Sequence, residues 1–243
     1  MRTPRVVLFD LDDTLFAHRA AVDRGIADYS RRLGAPYERI EPQAASRLWY
    51  ELEERHYHSY LAGDLDFEGQ RRARARDFAA AAGVHLNDEL AGVWFDDYFE
   101  HYVASWMLHD DALACFDALT AGIPGVRFGI ITNGDRVFQS RKIERVGLTH
   151  RIERAVFSGE LGITKPEAGI FHHTIGQFGV DTSDGVYIGD RLVTDALGAA
   201  RAGLTGVWLN RSGQLPDPAD AAEARALGVI EIHSLDELLP RLL

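Results

Sequence analysis

Short apolar runs alternate with helix-like segments in two parts of the chain, before residue 17 and after residue 105. The runs are rich in β-branched and aromatic residues and end at glycine or polar residues, which is typical of buried strands. They lie at 6–9, 128–132, 155–158, 186–188, 206–209 and 229–232. Because strands that alternate with helices form parallel sheets with right-handed crossovers, this pattern predicts an α/β fold.

Residues 17–105 differ because their apolar positions follow a helical period. Helices are predicted at 20–33, 42–61, 67–82 and 88–105, with glycines or prolines at the breaks. Consecutive helices of this kind form a bundle. The fold class is therefore predicted to be α/β, with a doubly wound (Rossmann-like) parallel-sheet core at 1–16 and 106–243 and an inserted α-helical cap domain at 17–105.

Composition and charge exclude several classes of protein. The 243 residues are 46% hydrophobic and 26% charged, as in ordinary globular proteins, and no apolar run approaches the roughly 20 residues of a membrane helix. A net charge of −11 argues against a nucleic-acid polymer as partner, because phosphate backbones bind basic faces. Cys115 is the single cysteine, which fits a reducing compartment. We expect a cytoplasmic, unprocessed monomer or homodimer with no membrane partner.

Polar residues that could take part in catalysis or binding follow the ends of predicted strands or lie in a loop beside one. They are Asp10, Asp12, Thr132, Lys165, Asp190 and Asp195. Ligands of open α/β sheets bind at the carboxyl ends of the strands, so these side chains are expected to meet at one edge of the sheet. Paired carboxylates, a hydroxyl and a lysine are together typical of phosphoryl transfer.

The order of these residues resembles the four motifs of haloacid dehalogenase-like (HAD) hydrolases. The motifs are Asp10-Leu11-Asp12-Asp13-Thr14, Thr132, Lys165 and Gly189-Asp190 through Asp195. The predicted helical insertion is similar to the C1-type cap of one HAD subgroup. The resemblance implies a Mg²⁺-dependent phosphatase in which Asp10 attacks phosphorus and forms an aspartyl-phosphate. Asp12 would then act as general acid and general base in turn.

The resemblance also implies roles for the other motif residues. The implied catalytic residues are Asp10, Asp12, Thr132 and Lys165. The implied phosphate-binding residues are Thr132, Asn133, Gly134 and Lys165. The implied Mg²⁺ ligands are Asp10, Asp12 through its backbone carbonyl, and Asp190. Asp195 would support Lys165 or a metal-bound water from outside the ligand shell.

The substrate is expected to be a small phosphorylated metabolite. Residues 12–16 and 131–134 resemble small capped phosphatases that include pyrimidine 5′-nucleotidases, so a nucleoside 5′-monophosphate is one candidate. Gly63, Asp64 and Leu65 break the helical pattern of the insertion. We expect this turn to lie near the leaving group and to contribute to substrate specificity.

Other functions share parts of this pattern. A sugar phosphomutase of the same superfamily keeps all four motifs and stays an open alternative. A true haloacid dehalogenase uses the same nucleophile on carbon but does not need the second motif acid, which is present here as Asp12. A phosphoacceptor signalling module also combines acids, a threonine and a lysine on a doubly wound sheet. The helical insertion argues against that module.

Overall fold

A computed structural model describes residues 3–243, except for the side chain of Leu61. The chain forms two compact units. The α/β unit comprises the residues up to Ala17 together with Met107–Leu243, and the helical unit comprises His18–Trp106. The predicted core domain begins at residue 1, and residues 1 and 2 lie outside the described residues.

The helical unit consists of α1 (His18–Leu33), α2 (Pro42–Leu61), α3 (Phe67–Ala81) and α4 (Asp88–Ala104). Two of these helices begin at side-chain caps. Asp66 accepts a hydrogen bond from the backbone N–H of Gly69 at the start of α3, and Asn87 accepts one from Leu90 at the start of α4. Such caps satisfy backbone donors that the first turn of a helix leaves unpaired.

An aromatic cluster forms the core of the helical unit. Trp49 is fully buried, and its ring centroid lies 4.6 Å from that of Tyr98 and 5.4 Å from that of Phe78. The guanidinium of Arg74 stacks 3.9 Å from the Trp49 centroid and pairs with Glu53 at 3.0 Å. The aromatic rings and the paired charge explain how this unit buries an arginine.

The α/β unit contains β1 (Val6–Phe9), β2 (Arg127–Thr132), β3 (Arg154–Phe157), β4 (Gly185–Gly189), β5 (Thr205–Leu209) and β6 (Ile230–Ile232). Within residues 3–243 these six strands form one parallel sheet in the order β3-β2-β1-β4-β5-β6. The chain moves outward from β1 in both directions, which is the doubly wound order. The predicted fold class is confirmed, and β1 with its neighbours β2 and β4 forms the centre of the sheet.

Helices connect these strands. They are α5 (Ala112–Gly122), α6 (Arg136–Arg145), α7 (Ser158–Leu161), α8 (Ala168–Phe178), α9 (Gly198–Arg201), α10 (Pro218–Leu227) and α11 (Leu238–Leu242). A π-helical turn, Leu192–Leu197, precedes α9. The residues of β1 are all fully buried, as expected for a parallel strand covered on both faces. Among the helices of residues 3–243, none combines the length and apolar character needed to cross a membrane.

Two local expectations differ from the structure. The sequence predicts a loop at 216–219 that forms a surface connection. These residues are at least partly exposed, but the loop ends at Asp217, which accepts a hydrogen bond from the backbone N–H of Ala219, and α10 begins at Pro218. Proline is favoured there because its missing N–H has no partner to lose. Asp110 and Asp111 precede an apolar helical pattern, so the sequence predicts that one of them caps α5. Asp111 does stand at the N-cap position, but its side chain makes no capping hydrogen bond.

The Asp111 carboxylate instead joins three segments of the α/β unit. It accepts hydrogen bonds from both terminal nitrogens of Arg211 at 2.8 Å, from the backbone N–H of Leu235 at 2.9 Å and from Ser234 at 3.1 Å. Arg211 also donates to the backbone carbonyl of Thr14 at 3.1 Å. The Asp111 side chain is 11% exposed, so these bonds are largely shielded from water.

Asp111→Asn is therefore expected to destabilise the protein by about 2–3 kcal/mol, because it leaves a half-buried guanidinium without its charge partner. Urea unfolding at pH 7 measures this loss. Asp110→Asn is the matched control, since Asp110 is an exposed neighbouring acid. We expect it to change the free energy of unfolding by no more than about 0.5 kcal/mol. Equal stability of the two variants would contradict the assigned role of Asp111.

The same contribution is expected to depend on pH. Burial raises the pKa of Asp111, but the bonds from Arg211, Leu235 and Ser234 outweigh burial and bring the pKa below its ordinary value of 3.8. A folded pKa below the unfolded one stabilises the fold above pH 3.8, and this stabilisation disappears as the pH falls through the folded value. The stability gap between wild type and Asp111→Asn should thus narrow below pH 3.8 in urea titrations. A stability difference between the two proteins that stays constant with pH would contradict this contribution of Asp111.

Candidate active site

The predicted site residues of the α/β unit lie at the carboxyl ends of the three central strands. Asp10 follows β1, Thr132 is the last residue of β2, and Asp190 follows β4. Lys165 lies in the loop before α8 and is 5% exposed, and Asp195 lies in the π-helical turn and is 1% exposed. Parallel pairing of the strands places their carboxyl ends at the same edge of the sheet.

The Lys165 ammonium is the centre of a buried hydrogen-bond network. Its Nζ donates to Oδ1 of Asp10 at 2.6 Å, to Oδ1 of Asp195 at 2.7 Å and to the hydroxyl of Tyr187 at 2.8 Å. An ammonium has three hydrogens, so all of them are used. The other oxygen of Asp10 accepts a long hydrogen bond of 3.4 Å from Thr14. Lys165 thus fixes the Asp10 carboxylate and neutralises part of the charge around it.

Asp195 can reach Lys165 because residue 189 is a glycine. A Cβ on Gly189 would lie 2.3 Å from Cγ of Asp195, closer than any real contact. The second oxygen of Asp195 accepts a hydrogen bond of 3.0 Å from the backbone N–H of Arg191. Both Asp195 oxygens therefore have partners, and one of these is the Lys165 ammonium. Support by Asp195 of Lys165 or of a metal-bound water during the reaction stays a prediction.

The pKa values of the site show an excess of negative charge. Burial raises the pKa of Asp10 to about 7, although Lys165 acts in the opposite direction. Burial also raises the pKa of Asp190 to about 8, and repulsion from Asp10 and Asp195 adds to this rise. Burial acts to lower the pKa of Lys165, but Asp10 and Asp195 together outweigh it and raise that pKa. The lysine therefore stays charged while the carboxylates repel each other.

The carboxylate cluster fits a divalent cation. Carboxylate oxygens of Asp10, Asp190 and Asp195 lie within 4.8 Å of one another. The Asp195 oxygens are already paired, which leaves Asp10 and Asp190 as the better ligands. Mg²⁺ prefers such oxygen donors and needs few of them, since it keeps several waters. A divalent cation here would also stabilise the ionised forms of Asp10 and Asp190, whose pKa values burial and then repulsion from neighbouring acids raise.

Two side chains of α6, Gln139 and Lys142, connect Asp12 with Thr132. Nζ of Lys142 lies 2.7 Å and 3.0 Å from the two carboxylate oxygens of Asp12. Nε2 of Gln139 donates to Oδ2 of Asp12 at 2.8 Å and to Oγ1 of Thr132 at 2.7 Å. The helix begins at Asp135, whose side chain caps it as the sequence predicts. Two predicted site residues are thereby connected through side chains that sequence analysis did not single out.

Asn133 and Gly134 are already engaged in the structure. The Asn133 side chain accepts a hydrogen bond of 2.9 Å from the backbone N–H of Lys165 and donates one of 3.1 Å to its carbonyl. The backbone N–H of Gly134 donates to the hydroxyl of Ser158 at 3.0 Å. These contacts position the Lys165 loop and the end of β2. Phosphate binding by Asn133 and Gly134 stays a prediction.

Gly63, Asp64 and Leu65 belong to the helical unit, where they form the turn between α2 and α3. Gly63 has a positive φ of 82°, and the backbone N–H of Asp64 donates to the carbonyl of Ser59 at 2.9 Å. Gly63 and Asp64 are exposed and Leu65 is half-buried. Their contribution to specificity stays a prediction.

Sequence analysis missed three residues of the site, namely Tyr187, Gln139 and Lys142. Tyr187 reads as an ordinary strand residue, yet its hydroxyl lies between Lys165 and the carbonyl of Ile131, 3.1 Å away. Gln139 and Lys142 are three residues apart and thus share one helix face. In the sequence, the available signal was a glutamine and a lysine at helical spacing on the face of α6 that is buried in the structure.

Comparisons with known proteins find phosphatases among the relatives of this chain. The chain is 31% identical over 217 residues to N-acylneuraminate-9-phosphatase from Mus musculus, covering 87% of this chain and 85% of the relative. It is 36% identical over 114 residues to the pyrimidine 5′-nucleotidase YjjG from Escherichia coli (strain K12), covering 46% of this chain and 49% of the relative. Several curated relatives are therefore phosphatases.

A solved structure shows the same fold. The HAD-hydrolase YfnB from Bacillus subtilis, crystallised with magnesium, is 20% identical to this chain and superposes with a TM-score of 0.75 over 99% of both chains. The family model described as haloacid dehalogenase-like hydrolase matches residues 4–203. Because that match spans most of the sequence, the protein belongs to the haloacid dehalogenase-like hydrolases.

Proposed function

We propose that this protein is a Mg²⁺-dependent phosphomonoester hydrolase that acts through an aspartyl-phosphate on Asp10. The observation that carries the proposal is the Asp10 carboxylate held by Lys165 at the sheet edge, with one oxygen bound at 2.6 Å. A nucleophile fixed in this way loses little freedom on the way to the transition state. The phosphatases among its relatives support the same reaction class.

The reaction has two steps. In the first, an Asp10 oxygen forms a bond to phosphorus while the bond between phosphorus and the ester oxygen breaks, and Asp12 gives its proton to the departing alkoxide. In the second, water attacks phosphorus, its proton passes to Asp12, and the bond between Asp10 and phosphorus breaks. Inorganic phosphate leaves, and both carboxyl groups return to their starting states.

The other residues stabilise charge and orient groups. Asp10, the backbone carbonyl of Asp12 and Asp190 would hold Mg²⁺, which supplies positive charge for the phosphoryl oxygens. The Thr132 hydroxyl would donate to one phosphoryl oxygen. Lys165 would keep Asp10 oriented, and it can donate to a phosphoryl oxygen only by giving up one of its three present acceptors.

The proposed substrate is a small phosphorylated metabolite. A nucleoside 5′-monophosphate is one candidate, which the nucleotidase relative supports, and a sugar phosphate is another, which the N-acylneuraminate-9-phosphatase relative supports. The turn at Gly63, Asp64 and Leu65 is proposed to contribute to the choice between them. A panel of nucleoside monophosphates, sugar phosphates and phosphoglycolate would rank these classes by kcat/KM.

Asp10→Asn is expected to lower phosphate release by at least about 1,000-fold, because an amide oxygen is a poor nucleophile for phosphorus. Release of inorganic phosphate from the panel measures the effect. Asp110→Asn, which changes an exposed acid outside the site, should keep wild-type turnover. Undiminished turnover by Asp10→Asn would refute Asp10 as the nucleophile.

Metal removal is expected to abolish turnover, and added Mg²⁺ should restore it. Mg²⁺ should also raise the thermal unfolding temperature of the wild type, because it relieves repulsion among buried carboxylates. Asp190→Asn should show a much smaller rise, and Asp110→Asn should show the wild-type rise. A full Mg²⁺ response in Asp190→Asn would contradict the proposed ligand set.

A further inference from the structure

Lys142 is a buried cation that the proposed mechanism does not use. Its side chain is 3% exposed, and its ammonium lies 5.0 Å from the ring centroid of Phe16 and 4.7 Å from that of Phe138. Removing an ammonium from water costs several kcal/mol unless a paired charge compensates. The Asp12 carboxylate supplies that charge, with both oxygens within 3.0 Å of Nζ.

Lysine usage sets Lys142 apart from the other basic residues. The 243-residue sequence contains two lysines, Lys142 and Lys165, and all its other basic side chains except histidine are arginine. Both lysines are buried: 2% of the whole Lys142 residue and 5% of the whole Lys165 residue are exposed. Lys165 contacts Asp10, and Lys142 contacts Asp12. Each lysine therefore pairs with one of the two carboxylates to which the mechanism assigns bond-making or proton transfer.

Gln139 extends this contact to Thr132. Its Nε2 donates to both Asp12 and Thr132, and its side chain is 3% exposed. In its ionised form, which receives the proton of water in the proposed second step, the Asp12 carboxylate only accepts hydrogen bonds, so the amide directs its NH₂ group toward it. Within residues 3–243, Oε1 of Gln139 is buried without a hydrogen-bond partner. Flipping the amide would place that oxygen against the carboxylate, so the contact with Asp12 fixes the orientation.

The amide orientation has a consequence for Thr132. Because Oγ1 of Thr132 accepts a hydrogen bond of 2.7 Å from Nε2, the hydroxyl hydrogen must point away from Gln139. The hydroxyl is thereby prepared to donate rather than accept. A phosphoryl oxygen, which only accepts, is the partner that such a hydroxyl suits.

We propose that Gln139 and Lys142 form a positioning pair, which fixes the Asp12 carboxyl for proton transfer and the Thr132 hydroxyl for donation to the phosphoryl group. The inference rests on the proposed phosphatase function. In the proposed mechanism neither side chain contacts the substrate, so both act through Asp12 and Thr132. A misplaced general acid loses much of the roughly 100- to 10,000-fold that proton transfer contributes.

The proposal predicts a selective defect that depends on the leaving group. Phenyl phosphate releases a basic phenolate that needs a proton, whereas 2,4-dinitrophenyl phosphate releases a weakly basic dinitrophenolate that does not. In Lys142→Met, which keeps the apolar stem, kcat/KM should fall about 100-fold for phenyl phosphate and less than about 5-fold for 2,4-dinitrophenyl phosphate. The ratio kcat/KM is used because it reports only the steps up to loss of the leaving group.

Matched variants separate positioning from structure. Arg145→Met changes a basic residue to methionine at an exposed position of the same helix, and it should affect both esters by less than about 2-fold. Gln139→Leu should show the selective defect and also a raised KM, because Thr132 loses its orienting partner. Equal loss on both esters in folded Lys142→Met would overturn the proposal, as would wild-type kinetics in both variants.

A second measurement does not depend on turnover or on the folding of Lys142→Met. Protein labelled with ¹⁵N- and ¹³C-lysine should give side-chain signals from two residues, and Asp12→Asn should shift one of them while leaving the other near its wild-type position. Two unchanged signals would overturn the contact between Lys142 and Asp12. Failure of the proposed function would instead appear in the wild type, as absence of Asp10-dependent hydrolysis of either ester.

Discussion

The site depends on the burial of one ammonium group between two carboxylates. Lys165 is 5% exposed, and each of its three hydrogens has an acceptor, two of them charged. Taking either carboxylate away would leave a buried charge short of its partner, which is strongly unfavourable. The network also makes Asp10 rigid. The same contacts that allow Lys165 to be buried therefore fix the carboxylate of Asp10, the proposed nucleophile.

Sheet topology is what brings these charges together. Asp10 and Lys165 are separated by 155 residues, and Lys165 and Asp195 by 30. They meet because β1 pairs in parallel with β4 and with β2, and β2 pairs in parallel with β3, so that the connections after β1, β3 and β4 emerge at one edge of the sheet. Gly189 leaves the space that Asp195 fills, and Tyr187 anchors Lys165 from within β4. Backbone geometry and charge placement thus support the same arrangement.

Sequence patterns predicted the sheet and the motif positions because both depend on local signals. Buried strands such as β1 are continuous apolar runs, and polar residues at their ends interrupt the pattern visibly. Tertiary contacts were not predictable in this way. Asp111 has the sequence signature of a helix cap, but Arg211, 100 residues away, is a stronger partner for its carboxylate. Lys142 was missed for a similar reason, since its partner Asp12 lies 130 residues away.

The choice between lysine and arginine follows from the space and the donors that each buried position offers. An ammonium is compact and directs three donors freely, so at Lys165 it can serve Asp10, Asp195 and Tyr187 at once. A guanidinium is planar and larger, and it suits a bidentate partner such as the one that Arg211 finds in Asp111.

Two identical carboxyl groups can acquire different roles if their neighbours differ. Asp10 is held by a lysine that is shared with a second acid, and Asp12 by Lys142 and a neutral amide. The environment rather than the residue type therefore distinguishes the proposed nucleophile from the proposed proton carrier.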